Sequence, residues 1–158
     1  MLFAVNAALF AQASATATAT AVIVGPIGIS NTANMNFGNV AVGASPGTVV
    51  LTPAGGRTPT GGVTLPATTG TVAAAAFTVT GAAGYTYAIT LPSAALTISS
   101  GANSMTVDNW TSNPTPTGTL DGGGSQALTV GATLHVSGSQ AAGNYTSATP
   151  FTVTVNYN

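Results

Sequence analysis

From Ser14 to Val24 the chain reads S-A-T-A-T-A-T-A-V-I-V, a strict alternation of small apolar and β-branched residues that gives way to two β-branched residues at the end. In an extended chain Ala15, Ala17, Ala19, Ala21 and Ile23 point one way, and Thr16, Thr18, Thr20, Val22 and Val24 point the other. Alanine favours a helix, but a β-branched residue at every second position loses rotamer freedom in a helical turn, so the pattern predicts a strand. Extended, the stretch spans about 36 Å, longer than a usual strand. It is expected to pair with a neighbouring subunit rather than only with its own domain.

Further along, the same period of two recurs in shorter pieces. Val40 to Val42, Thr48 to Leu51 and Val63 to Leu65 are strand candidates closed off by Gly and Pro, with Ala54 to Thr60 read as a loop that carries Arg57. Phe77 to Thr80 and Tyr85 to Leu91 alternate apolar residues with threonine across a short Gly81 to Gly84 link, which predicts a hairpin. Leu96 to Ser99 and Met105 to Val107 are further strands, and Thr111 to Ser125 is the longest predicted loop. Leu128, Val130, Ala132, Leu134 and Val136 form an unbroken apolar face, the pattern of a strand buried on one side. In the closing strand Phe151, Val153, Val155 and Tyr157 alternate with Thr152, Thr154, Asn156 and Asn158. No segment has helical period with caps, and the four alanines between Val72 and Phe77 suffice for a single turn at most. Many short strands with Gly and Pro turns predict an all-β fold, an antiparallel sandwich or barrel.

Composition changes the picture in one respect. Arg57, Asp108 and Asp121 are the only charged side chains in 158 residues, against about a quarter of residues in ordinary soluble domains. Edge strands are usually guarded by lysine or proline against pairing with other chains, and lysine is absent. The reading that fits is a secreted protein whose normal state is an assembly. One arginine cannot neutralise a phosphate backbone, which excludes nucleic acid as a partner. Residues 1–13, with an apolar run from Leu2 to Phe10 followed by Ala11-Gln12-Ala13, resemble a signal peptide without its positive start. If retained, Phe3, Val5, Ala7 and Leu9 continue the alternating pattern. The expected organisation is therefore a leader or retained extension over 1–13, a donor strand over 14–24 and a β-sandwich domain over 25–158.

Met35-Asn36-Phe37-Gly38-Asn39-Val40, Gly61-Gly62-Val63, Gly143-Asn144-Tyr145-Thr146 and the closing Phe151 to Asn158 resemble a secreted bacterial domain family of unknown function that is itself similar to spore-coat-U-type subunits of archaic chaperone–usher pili. The resemblance implies an incomplete immunoglobulin-like sandwich, completed by a strand donated from the N-terminal extension of the next subunit. It also implies a filament subunit on the bacterial surface that serves adhesion or biofilm, with a periplasmic chaperone and an outer-membrane usher as partners besides copies of itself. By the same analogy the closing strand Phe151, Val153, Val155 and Tyr157 is a groove edge or a chaperone-pairing strand.

Candidate chemistry is sparse. With one His and neither Cys, Lys nor Glu, the groups for acid–base or nucleophilic catalysis are nearly lacking, so no enzyme, small-molecule substrate, metal or cofactor is expected. His135 falls on the polar face of its strand as a solvated side chain. Asp108 and Asp121 stand in turn-like contexts, where Asp caps its own backbone. Trp110, beside the long loop, is the candidate surface residue of the alternative reading, a monomeric carbohydrate-binding adhesin. A second alternative, an ice-binding β-protein, rests on Thr16, Thr18 and Thr20 as a row of regularly spaced hydroxyls.

Overall fold

The computed structural model describes residues 11–158, so Phe3, Val5, Ala7 and Leu9 lie outside the described residues. Among the described residues there is no helix, and the strands are β1 (Gly28–Ala33), β2 (Asn36–Phe37), β3 (Ala41–Leu51), β4 (Arg57–Thr64), β5 (Val72–Ala73), β6 (Ala75–Thr80), β7 (Thr86–Thr90), β8 (Leu96–Ser100), β9 (Asn103–Asn113), β10 (Thr117–Thr119), β11 (Ser125–Val136) and β12 (Thr154–Tyr157). Their antiparallel sheets curl into a half-barrel.

Strand β11 is the axis. The predicted face is buried throughout: Leu128, Val130, Ala132, Leu134 and Val136 are each at most 5% exposed. One edge of β11 serves two strands in succession, β6 along Ser125 to Val130 and β3 along Ala132 to Val136. Its other edge pairs with β9, so that Thr129 lies between Ala76 and Asn113 and Thr133 between Val50 and Asp108. The change of partner falls at Gly131, where a Cβ would strike the Leu51 carbonyl oxygen. Only glycine lets the two backbones come that close. Beyond these neighbours β1 pairs with β6, β4 with β3 and β8 with β9. A second sheet, in the order β10-β7-β12, stands apart.

The predicted Phe77 to Leu91 hairpin does not form. Strand β6 joins β1 and β11 in the large sheet, whereas β7 joins β10 and β12 in the small one. Gly81 to Gly84 therefore carries the chain across the core. Both strands alternate because each buries one face against the other sheet, and this pattern is the same for partners in one sheet and for partners facing each other. Four smaller corrections concern single elements. Val40 to Val42 and Thr48 to Leu51 fall almost wholly within one strand, β3, with an irregularity between Val42 and Gly47. Arg57 begins β4 instead of lying in a loop. The predicted Thr111 to Ser125 loop holds the end of β9 and all of β10. The alanines after Val72 run through β5 and into β6, not a helical turn.

The core has two parts. Ala75, Val79, Tyr87, Leu120, Leu128, Val130, Val153 and Val155 fill the space between the large and small sheets. Val49, Val63, Val107, Ala132, Leu134 and Val136 cluster at the other half of the large sheet, and the small sheet contributes nothing to them. Tyr87 is fully buried in the first part, and burial pushes its phenol above the ordinary value of 10.0. The folded chain thus keeps a proton that the unfolded chain releases. The stability this contributes is complete below about pH 10 and is lost as the pH rises further. The denaturation midpoint is expected to fall more steeply above pH 10 in the unaltered chain than in Tyr87→Phe, as alkaline urea titrations would show.

Candidate functional site

Because the small sheet covers only half of the large one, the second core cluster opens into a groove of about 1250 Å³. Its floor is apolar: Leu96 and Ile98 from β8, Met105 and Val107 from β9, and Leu134 and Val136 from β11. Leu96, Val107 and Leu134 lie side by side across three strands, and Ile98 pairs with Met105 in the next row. The walls are residues 34–42 on one side and residues 140–150 on the other. Neither wall is a full strand. The first holds the two-residue pairing of β2 with β5 and, at Ala41 and Val42, the start of β3 paired with β4, and the second touches the edge of β8 through a single bridge, in which Ser99 and Thr146 exchange both backbone hydrogen bonds at 2.9 and 3.0 Å. Tyr145 steadies the second wall, donating from its hydroxyl to the Ala141 carbonyl at 2.7 Å.

Ser14 to Val24, predicted as a long strand, has no ladder with any of the described residues and no regular structure in the isolated chain. A strand's backbone groups need a partner, and among the described residues nothing supplies one. Residues 11–26 are exposed, with Val22 at 89% and Ile23 at 96%, large apolar side chains standing in water. The point where this segment meets the domain is well defined. Tyr157 of β12 accepts the Ala82 N–H at 2.6 Å and donates to the Gly25 carbonyl at 3.1 Å, its ring edge-on to Tyr85. Gly81 has no side chain there because a Cβ would strike the Tyr157 hydroxyl. The anchor lies at the Ser125 end of β11, since Gly81 donates to the Gly124 carbonyl. Leu134 lies nine residues on, about 30 Å along an extended strand. Segment exit and groove are thus at opposite ends of the molecule.

In the closing strand Val153 and Val155 are buried, while Phe151 and Tyr157 pack against the first cluster. The ladder begins only at Thr154 and runs along β7; the other edge of β12 has no ladder among the described residues. Trp110 is half-buried, 4.5 Å from Phe151, and its indole N–H donates to the Ala94 carbonyl. It touches both core clusters and so belongs to the packing. Asp121 caps its own turn as expected, accepting the N–H groups of Gly123 and Ser125 at 2.9 Å. Asp108 does not sit in a turn. It lies in β9 opposite Thr133, a two-residue diagonal from His135, and the two side chains meet at 2.7 Å on the outer face of the sheet. That contact passes between strands remote in sequence, where no local pattern signals it. His135 borders a shallow depression of about 550 Å³ with Thr48, Ser104 and Thr106.

A family model described as a domain of unknown function, DUF4402, matches residues 27–157. The chain belongs to that family. The match begins at Ile27, just after the anchor at Gly25, and takes in β1 through β12. No curated protein and no solved structure matches the chain. The DUF4402 domain therefore comprises the half-barrel with its groove, and the exposed alternating segment lies immediately before it. Among the described residues no three His, Cys, Asp or Glu side chains gather as a metal site would need. What the site offers is an apolar floor and strand edges, which suit the binding of a polypeptide in extended form.

Proposed function

We propose that this protein is the structural subunit of an extracellular filament, in which the N-terminal segment of one copy lies in the groove of the next. The observation that carries this reading is the pairing of an unpartnered alternating segment at one end with a roofless apolar floor at the other. A contact between two different surfaces of the same molecule is heterologous, and unless the rotation closes a ring it continues as an open filament. In this reading the added strand lies over the floor of β8, β9 and β11, between the two walls, and completes an immunoglobulin-like sandwich. Strand addition supplies a ladder of main-chain hydrogen bonds and seats alternate side chains over the floor. The near absence of charge, with edge strands left unguarded by lysine, supports the same reading.

The reading places the subunit outside the bacterial cell, in a pilus that serves surface adhesion, and brings with it a periplasmic chaperone and an outer-membrane usher, since a chain with an uncovered apolar groove needs protection before assembly. The test is electron microscopy of the purified full chain. Unbranched filaments of uniform width are expected; a chain that stays monomeric at high micromolar concentration, after removal of any bound chaperone, overturns the proposal.

A further inference from the structure

Arg57 is the only arginine, and the chain has no lysine. Its guanidinium meets neither Asp108, which pairs with His135, nor Asp121, which caps its own turn. Instead, Nη1 donates to two backbone carbonyls, that of Phe37 at 2.6 Å and that of Asn39 at 2.9 Å. These carbonyls flank Gly38, whose φ of +67° forms the tight turn in the first groove wall. From the opposite side Asn39 ties the same turn to residues 68–69, donating its N–H to the Thr69 carbonyl at 2.7 Å and its side-chain amide to the Thr68 carbonyl at 3.1 Å. A Cβ on Gly38 would press on the Thr69 carbonyl, Val72 and Arg57 itself. Phe37 and Val40, on either side of this turn, pack against the second core cluster and line the groove.

We infer that Arg57 is a positioning residue for the acceptor groove: by bonding both carbonyls around Gly38 it holds the wall formed by residues 36–40 at the separation from the floor that admits a second copy's N-terminal segment. The inference rests on the filament reading. With only the two-residue β2–β5 pairing behind it, this wall has little ladder of its own. Charge-assisted hydrogen bonds to carbonyls take the place of that ladder and keep the turn's oxygens from turning into the groove.

The test uses the full chain carrying Val22→Asp and Ile23→Asp, which leaves its groove intact while disabling its own segment, and a fluorescent peptide of residues 11–26 as probe. Arg57→Met keeps the aliphatic stem and removes the donors; it is expected to weaken peptide binding at least about tenfold. Arg57→Lys, which keeps a cationic donor, is expected to recover most of the loss. Gly38→Ala strains the same turn and crowds the guanidinium while keeping its donors; it is expected to weaken binding similarly, so the conclusion does not hang on Arg57→Met folding well. A merely structural arginine would lower the thermal midpoint while leaving binding unchanged well below it. Equal affinity in the parent, Arg57→Met and Gly38→Ala overturns the inference. A parent that binds no peptide overturns the filament reading instead.

Discussion

Substituting aspartate for both Val22 and Ile23 is expected to abolish filaments and leave the isolated fold intact. The two side chains are 89% and 96% exposed in the single chain, so their replacement costs the monomer little. They point to opposite faces of an extended segment, and one of them must therefore turn toward the floor of Leu96, Ile98, Met105, Val107, Leu134 and Val136 in either register. An uncompensated carboxylate against that floor costs several kcal/mol. At about 1.4 kcal/mol per tenfold, association is expected to weaken by roughly a thousandfold or more. Sedimentation velocity and electron microscopy check this directly. Filaments of unchanged length and number from the double variant would show that the segment is not what joins the subunits.

The second large effect concerns the domain's own stability. Tyr87 is wholly buried, and its hydroxyl donates to Gln126 Oε1 at 2.8 Å; the same oxygen accepts the Thr119 N–H at 2.8 Å. Directly across the small sheet stands Gly118, where a Cβ would strike the tyrosine ring and its hydroxyl. Ring and glycine thus fill one space together. Tyr87→Ala leaves a cavity there and is expected to cost about 3–5 kcal/mol. For a domain of this size that lowers the thermal midpoint by about 10 °C or more. Tyr87→Phe keeps the ring and is expected to cost only about 1 kcal/mol, because Thr119 still holds Gln126. Melts are best made on the Val22→Asp, Ile23→Asp background, where assembly does not add to apparent stability. A midpoint for Tyr87→Ala within 2–3 °C of the parent would mean that the first core cluster repacks without it.

The reach of sequence reasoning differs from element to element. Leu128 to Val136 was legible because one side of that strand is buried along its whole length, so burial and period coincide. Val153 and Val155 were legible for the same reason, although the ladder starts only at Thr154. The Phe77 to Leu91 stretch misled, since a period of two reports which side of a strand is buried and is silent on which strand lies beside it. The glycines and prolines around Arg57 predict a loop. The arginine's two acceptors, the carbonyls of Phe37 and Asn39, are about twenty residues away and carry no side-chain signature. Asp108 sits in an Asp-Asn pair that looks like a turn, yet β9 continues through it with a register shift at Asn109, whose φ is +49°.

By itself the sequence determined the all-β class, the apolar faces of the long central strand and the closing strand, and the chemical character of the N-terminal segment. These follow from local alternation and from the near absence of charge, both properties of neighbouring residues. The tertiary structure alone decided that the floor residues of β8, β9 and β11 converge under two walls drawn from residues 34–42 and 140–150. It also decided that the segment leaves the domain at the far end, held at Gly25 by Tyr157. Such convergence is set by how the sheets curl and where one strand changes partners at Gly131, relations between residues up to a hundred positions apart that no short-range pattern encodes.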